Sequence, residues 1–265
     1  MEIKRLGREL GPYAFEERMP HRVDALLQKD GSNVITNVIP KLAQLLRSSD
    51  VKAARLCRQD AVLIHKHATE GNTFCGYRNI QMLLHPMTAK RLYTVPELQN
   101  MIETAWTRGF NAHGRDQTGG VRGTRKYIGT SEAEALMQSL DIDCTGFAFQ
   151  GTSPVNELFT HLDTYFGLGE GIDITRKMPV YLQLPKHSIL VVGIARRRNG
   201  SKMLLVFDPA KPPPLNMSRT PNSKLLQSVS GRLQVAACKK SERSLRRYSA
   251  FETLVVEPEV DLNTG

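Results

Sequence analysis

Between residues 180 and 207 three apolar runs follow one another closely: Val180–Leu184, Ile189–Ala195 and Met203–Phe207. The last two are joined by Arg-Arg-Arg-Asn-Gly-Ser-Lys, whose Asn199-Gly200 pair favours a hairpin turn. Runs of this length with so little chain between them read as core strands of one antiparallel sheet. Ile142–Gln150 alternates apolar residues like a further strand, and Phe251–Val256 offers a closing one. The helical signals come mostly before the sheet. From Cys75 onward, Ile80, Leu83, Leu84 and Met87 keep the i, i+3, i+4, i+7 spacing of one helix face, with Pro86 near the end. Val95–Thr107 repeats the period through Leu98, Ile102 and Trp106. Ser131 with Glu134 matches a capping box opening a helix through Leu140, and Pro154–Phe166 is a further helix. The glycine-rich stretch 109–125 reads as a mobile loop, and 210–228, rich in Pro, Ser and Asn, as an irregular excursion. Helices first and antiparallel strands second define an α+β fold rather than a doubly wound sheet. Residues 1–70 read as a mostly helical appendage, with apolar clusters at Val23, Leu26 and Leu27 and at Ile39, Leu42, Leu45 and Leu46 around a turn at residues 29–32. Residues 71–265 form the larger body.

Composition narrows the function classes. The N-terminus lacks the apolar stretch of a signal peptide, and the longest apolar run, Ile189–Ala195, is far below the roughly 20 residues of a membrane span. A soluble protein of the cytoplasm or nucleus, without membrane association, is the expectation. Cys57, Cys75, Cys144 and Cys238 stand far apart, with no CxxC pair and no His at zinc spacing, so neither a disulfide framework nor a zinc site is indicated. The net charge of +10 is concentrated: residues 196–250 hold 13 Lys/Arg against Asp208 and Glu242. Such a basic stretch suits an acidic protein or nucleic acid, yet its only aromatics, Phe207 and Tyr248, are too sparse for a base-stacking platform. It reads first as a solvated basic face or loop, and second as a site for a polyanion.

A cysteine at a helix N-terminus has its thiolate stabilised by the helix dipole and free N–H donors. Cys75 stands there, and as a nucleophile it needs a base and a group to orient that base. Among the seven histidines only His187 lies at the mouth of a strong strand; Asp208 closes the next strand before Pro209. A hairpin brings both to one end of the sheet. The register is the difficulty: with a strict two-residue Asn199-Gly200 turn, Asp208 would face Val191, about 13 Å along the strand from His187 at ~3.3 Å per residue. A wider loop or a bulge is required. Gln183, four residues before His187, can donate to an oxyanion at an attacked carbonyl. Taken singly, each residue also reads as ordinary: a buried thiol, a strand-end turn, a surface amide.

Together, Phe74–Leu83 (FCGYRNIQML) with AWTRGF at 105–110, YIGTSEAEALMQSL at 127–140, PVYLQLPKHSILVVGI at 179–194 and LLVFDPA at 204–210 resemble the ZUFSP-type cysteine peptidases. LGRELGPYAFEERMP at 6–20 resembles the N-terminal segment of compact fungal-type members. The resemblance implies a papain-like fold with the cysteine on a central helix, Cys75 as nucleophile, His187 as general base, Asp208 as its orienter and Gln183 in the oxyanion hole. It implies a deubiquitinase acting on ubiquitin and polyubiquitin chains, lysine-63-linked ones in particular, with no metal or cofactor. A peptidase for the ubiquitin-fold modifier is the alternative within the class; a non-catalytic basic module for nucleic acid or an acidic protein is the alternative outside it. Residues 1–70 are then the candidate ubiquitin-binding appendage. Because ubiquitin's tail is basic, Asp116, Asp163, Glu170 and Asp173 are candidate acidic groups near the groove. Two departures stand beside the motifs: Lys186 before the histidine, and Thr73-Phe74 before the cysteine. By like charge, Lys186 is expected to depress His187.

Overall fold

The computed structural model describes residues 10–29, 33–212 and 236–257. Their elements are α1 (His21–Leu27), β1 (Val34–Ile35), α2 (Val38–Arg47), β2 (Val51–Leu56), β3 (Leu63–Ile64), α3 (Cys75–Leu84), α4 (Val95–Thr107), α5 (His113–Thr118), α6 (Thr130–Ser139), β4 (Cys144–Gln150), α7 (Pro154–Phe166), β5 (Gly171–Ile174), β6 (Val180–Leu184), β7 (His187–Arg197), β8 (Lys202–Phe207), β9 (Lys239–Ser241), α8 (Glu242–Leu245) and β10 (Ala250–Val256). Eight strands form one sheet in the order β4-β10-β6-β7-β2-β5, with β8 on β7 and β9 on β8. The strand β7 organises it. Its first half pairs with β6, its second with β2, and β8 runs antiparallel along it. Leu190, Val191, Val192 and Ile194 are fully buried, as expected where both faces are covered.

One helix is embedded rather than laid on the surface. Every residue of α3 from Gly76 to Leu84 is buried, including Arg78, Asn79 and Gln81. The apolar spacing announced one face only; the polar side chains on the other are covered too. Gly76 explains how the helix gets so close, since a Cβ there would lie 2.5 Å from Ile128 Cγ1 and 2.9 Å from the Ile128 carbonyl. A side chain at this position would push the first turn off its seat.

The structure departs from the sequence pattern at three places. The helical reading of residues 1–70 holds for α1 and α2, but Val51–Leu56 is a strand between β7 and β5, its pairing with β5 parallel. A boundary at residue 70 therefore cuts through the sheet, and the segment from β2 onward belongs to the main body. The stretch 109–125 holds α5 and is tied down: Glu103 accepts from the Val121 N–H at 2.7 Å, Gln99 from the Gly123 N–H at 2.9 Å, and the buried Lys126 donates to the Thr118 and Gly120 carbonyls. The first turn of α6 is closed by Glu132, which accepts from the Gly129 N–H, and not by a Ser131–Glu134 box. Of the excursion at 210–228, residues 213–228 lie outside the described residues.

The β6–β7 hairpin turns on Pro185-Lys186, and Lys186 holds φ +65°. Proline at the first position suits this turn; the second wants glycine, because a Cβ in the left-handed region costs roughly 1–2 kcal/mol. Lys186→Gly is therefore expected to raise stability by about 1 kcal/mol, read as a higher melting temperature. An unchanged or lower melting temperature would show that the lysine side chain compensates elsewhere.

Candidate active site

Cys75 is the first residue of α3, and Phe74, whose ring packs 6.0 Å from that of Tyr77, fixes the entry of the chain. The free N–H groups of the first turn lie around the thiol. Of the four cysteines, burial pushes Cys57 up, Cys238 up to about 12 and Cys144 up to about 11. Cys75 alone moves the other way: burial raises it, but a hydrogen bond and the positive charge of His187, with the backbone of Ser188, outweigh burial.

The hairpin solves the register problem by both means the sequence required. Its turn spans Arg197–Gly200, and Arg196 pairs with Lys202; a bulge between Val191 and Gly193 then shifts the ladder so that Leu190 faces Phe207. The two shifts carry Asp208 two residues nearer to His187 than a strict Asn199-Gly200 turn would. Side chains close the remaining offset: His187 Nε2 lies 2.8 Å from Asp208 Oδ1. Gly193 at the bulge is obligatory, since a Cβ would sit 2.3 Å from the Arg55 carbonyl of β2.

Asp208 is 6% exposed. Burial pushes its carboxyl up, while the bond to His187 and the charge of Lys240, whose Nζ is 4.0 Å from Oδ2, hold it below the usual range. The Ala210 N–H donates to Oδ1 at 3.1 Å and fixes its orientation. For His187, burial disfavours the imidazolium, but hydrogen bonds to Asp208 and Cys75 and their negative charges prevail and push it up to about 9. Lys186 is not among the groups that set this value, contrary to the like-charge expectation: it is exposed at the turn and its charge is screened by water. A lowered thiol facing a raised imidazole shifts the pair toward thiolate and imidazolium.

Gln183 lines the same cavity, of about 460 Å³, as Cys75, Tyr127, Gly129, His187 and Glu252. Its amide is occupied, donating to the Leu184 carbonyl at 2.7 Å and the His187 carbonyl at 3.2 Å. The acidic residues expected near the groove are elsewhere. Asp163 pairs with Lys202, Glu170 with Lys52 and Arg196, and Asp173 with Arg55; Asp116 is exposed on α5. None of them lines the cavity. The acid that does is Glu252 of β10, which the sequence reading passed over. Among the described residues no group of three or more His, Cys, Asp or Glu could hold a metal ion, and no helix is long and apolar enough to cross a membrane.

A thiol on a central helix facing a His–Asp pair on the adjoining sheet is the arrangement of the papain-like cysteine peptidases. The solved structure titled "Crystal structure of UfSP from C. elegans" shares this fold with a TM-score of 0.50 and 17% identity, over 86% of this chain and 38% of that one. The chain belongs to peptidase family C78, whose sequence profile matches residues 50–254. It is 32% identical to zinc finger-containing ubiquitin peptidase 1 of Rattus norvegicus over 80% of this chain and 41% of that protein, and 29% identical to the Homo sapiens protein of that name over 99% and 48%. Ubiquitin carboxyl-terminal hydrolase mug105 of Schizosaccharomyces pombe is 32% identical over 51% of this chain and 59% of that protein. The chain thus spans about half the length of these curated relatives.

Proposed function

We propose that this protein is a thiol isopeptidase that removes ubiquitin, with lysine-63-linked polyubiquitin as its preferred substrate. The observation that carries this reading is Cys75 at the head of α3, lining one groove with a His187 whose ring Asp208 holds at 2.8 Å. Cys75 attacks the carbonyl of the modifier's terminal glycine, and the C–N bond to the lysine amine breaks as His187 delivers its proton to that amine. Water, deprotonated by His187, then cleaves the thioester. The Cys75 N–H, at the head of α3 where no intrahelical acceptor exists, takes the oxyanion, and Gln183 joins it by giving up its bond to the Leu184 carbonyl.

The named relatives support ubiquitin over the ubiquitin-fold modifier, and the cytoplasm or nucleus is the proposed place of action. The segment 10–47 serves as the ubiquitin-contacting appendage: the Leu10 carbonyl accepts from the Tyr127 N–H beside the groove, and Phe15 is 90% exposed. The basic stretch 196–250 is a lesser candidate for nucleic acid or an acidic protein, because Arg196, Arg197, Lys202 and Lys240 already face carboxylates.

Covalent labelling by C-terminally electrophilic ubiquitin and by the same probe built on the ubiquitin-fold modifier tests the reading. Labelling by ubiquitin, lost in Cys75→Ala, is expected. Labelling by the other modifier alone would move the protein to that peptidase class, and labelling by neither, with salt-sensitive retention on DNA, would favour the binding module.

A further inference from the structure

The wall of the groove away from His187 carries an acidic corner. Glu252 of β10 is the direct ladder partner of Gln183 on β6, which in turn pairs with Ser188 on β7, so it stands two strands from the catalytic edge. The Thr130 hydroxyl, in the first turn of α6, donates to Glu252 Oε2 and fixes the carboxylate; among the described residues Oε1 has no partner. Glu134 of the same helix lies nearby, its carboxyl pushed up by burial and further by the negative charge of Glu252. Among the described residues, neither carboxyl is paired with a basic side chain. Of the two, only Glu252 lines the cavity, together with Lys186 of the β6–β7 turn, and a cation entering there meets its carboxylate.

We infer that Glu252 is a specificity residue that reads a basic side chain in the tail of the modifier, two or three positions before the attacked carbonyl. Two strand spacings come to about 10 Å, which is the reach of three extended residues at ~3.3 Å each. Ubiquitin ends in Arg-Gly-Gly, which places its arginine third from the end, where a guanidinium can take Oε1 of Glu252 while Thr130 keeps the other oxygen. The assignment rests on the isopeptidase reading above and adds the feature of the substrate that the groove selects.

A double-mutant cycle tests it, using ubiquitin–aminomethylcoumarin and the same substrate with that arginine replaced by alanine. Glu252→Gln retains an acceptor for Thr130 and should melt like the unsubstituted protein. With the natural tail it is expected to lose roughly ten-fold or more in kcat/KM, chiefly through KM; with the alanine tail it should lose almost nothing further. Glu252→Arg should regain activity on a tail carrying glutamate at that position. Equal losses on both tails would overturn the assignment while leaving the isopeptidase reading intact. Absence of turnover of the natural substrate by the unsubstituted protein would overturn both.

Discussion

Asp208→Asn is expected to slow turnover of a ubiquitin-based substrate by about 10³- to 10⁴-fold, the range such an exchange costs when the imidazole loses its anionic partner. The bond between His187 Nε2 and Asp208 Oδ1 leaves Nδ1 for the thiol, and an asparagine presenting its NH₂ to the ring would reverse that choice. The pH profile carries the sharper information. With Asp208 in place His187 is pushed up to about 9, so activity should fall on the alkaline side near that pH as the imidazolium loses its proton. The acid limb belongs to Cys75 and should lie below the ordinary thiol range, because His187 stabilises the thiolate. Removing the aspartate charge lowers His187, which moves the alkaline limb down. It also weakens the support for the thiolate, which moves the acid limb up, so the bell narrows from both sides. A profile of kcat/KM that loses height with both limbs unmoved would show that Asp208 acts on geometry alone.

Why some of this was legible in the sequence and some not follows from where each signal lies. The strands β6, β7 and β8 were plain because both faces are covered, so nearly every residue had to be apolar. His187 and Asp208 stood out because they interrupt those runs at their ends. The strand β2 was hidden: Val-Lys-Ala-Ala-Arg-Leu places Lys52 and Arg55 on a face where Glu170 and Asp173 meet them, and the small alanines read as helix. The family match from residue 50 onward agrees with β2 lying inside the body. Glu252 escaped notice because Phe-Glu-Thr-Leu looks like a half-buried strand with its polar residues in water. Only the ladder with Gln183 shows that this outward position opens on the groove. The glycine-rich stretch looked mobile because its anchors, Gln99 and Glu103, belong to a neighbouring helix and are local to nothing in the stretch itself.

Glu70→Ala is expected to be among the most damaging single changes in the chain, although Glu70 touches no reacting atom. Arg78, three residues after the cysteine, is fully buried, and its guanidinium meets Glu70 in a two-pronged pair, Nη2 to Oε2 at 2.6 Å and Nε to Oε1 at 3.2 Å, with Gln81 taking Nη1 at 2.9 Å. Removing the carboxylate leaves a desolvated cation, which costs about 3–5 kcal/mol, or roughly 10 °C or more in melting temperature for a chain of this size. The same carboxylate accepts from the His67 N–H at 2.8 Å, and one residue earlier the Lys66 N–H donates to the Pro209 carbonyl at 2.9 Å, next to Asp208. The pair therefore ties the segment entering Cys75 both to α3 and to the turn that holds Asp208, so kcat should fall along with stability. Replacing both members together, as Glu70→Leu with Arg78→Met, removes the unpaired charge and should recover most of the melting temperature. It should not recover kcat, because no leucine can hold the His67 N–H. A Glu70→Ala protein melting within a degree or two of the unsubstituted one would show that Arg78 finds its compensation elsewhere. A double variant that regains full activity would remove Glu70 from the positioning of the site.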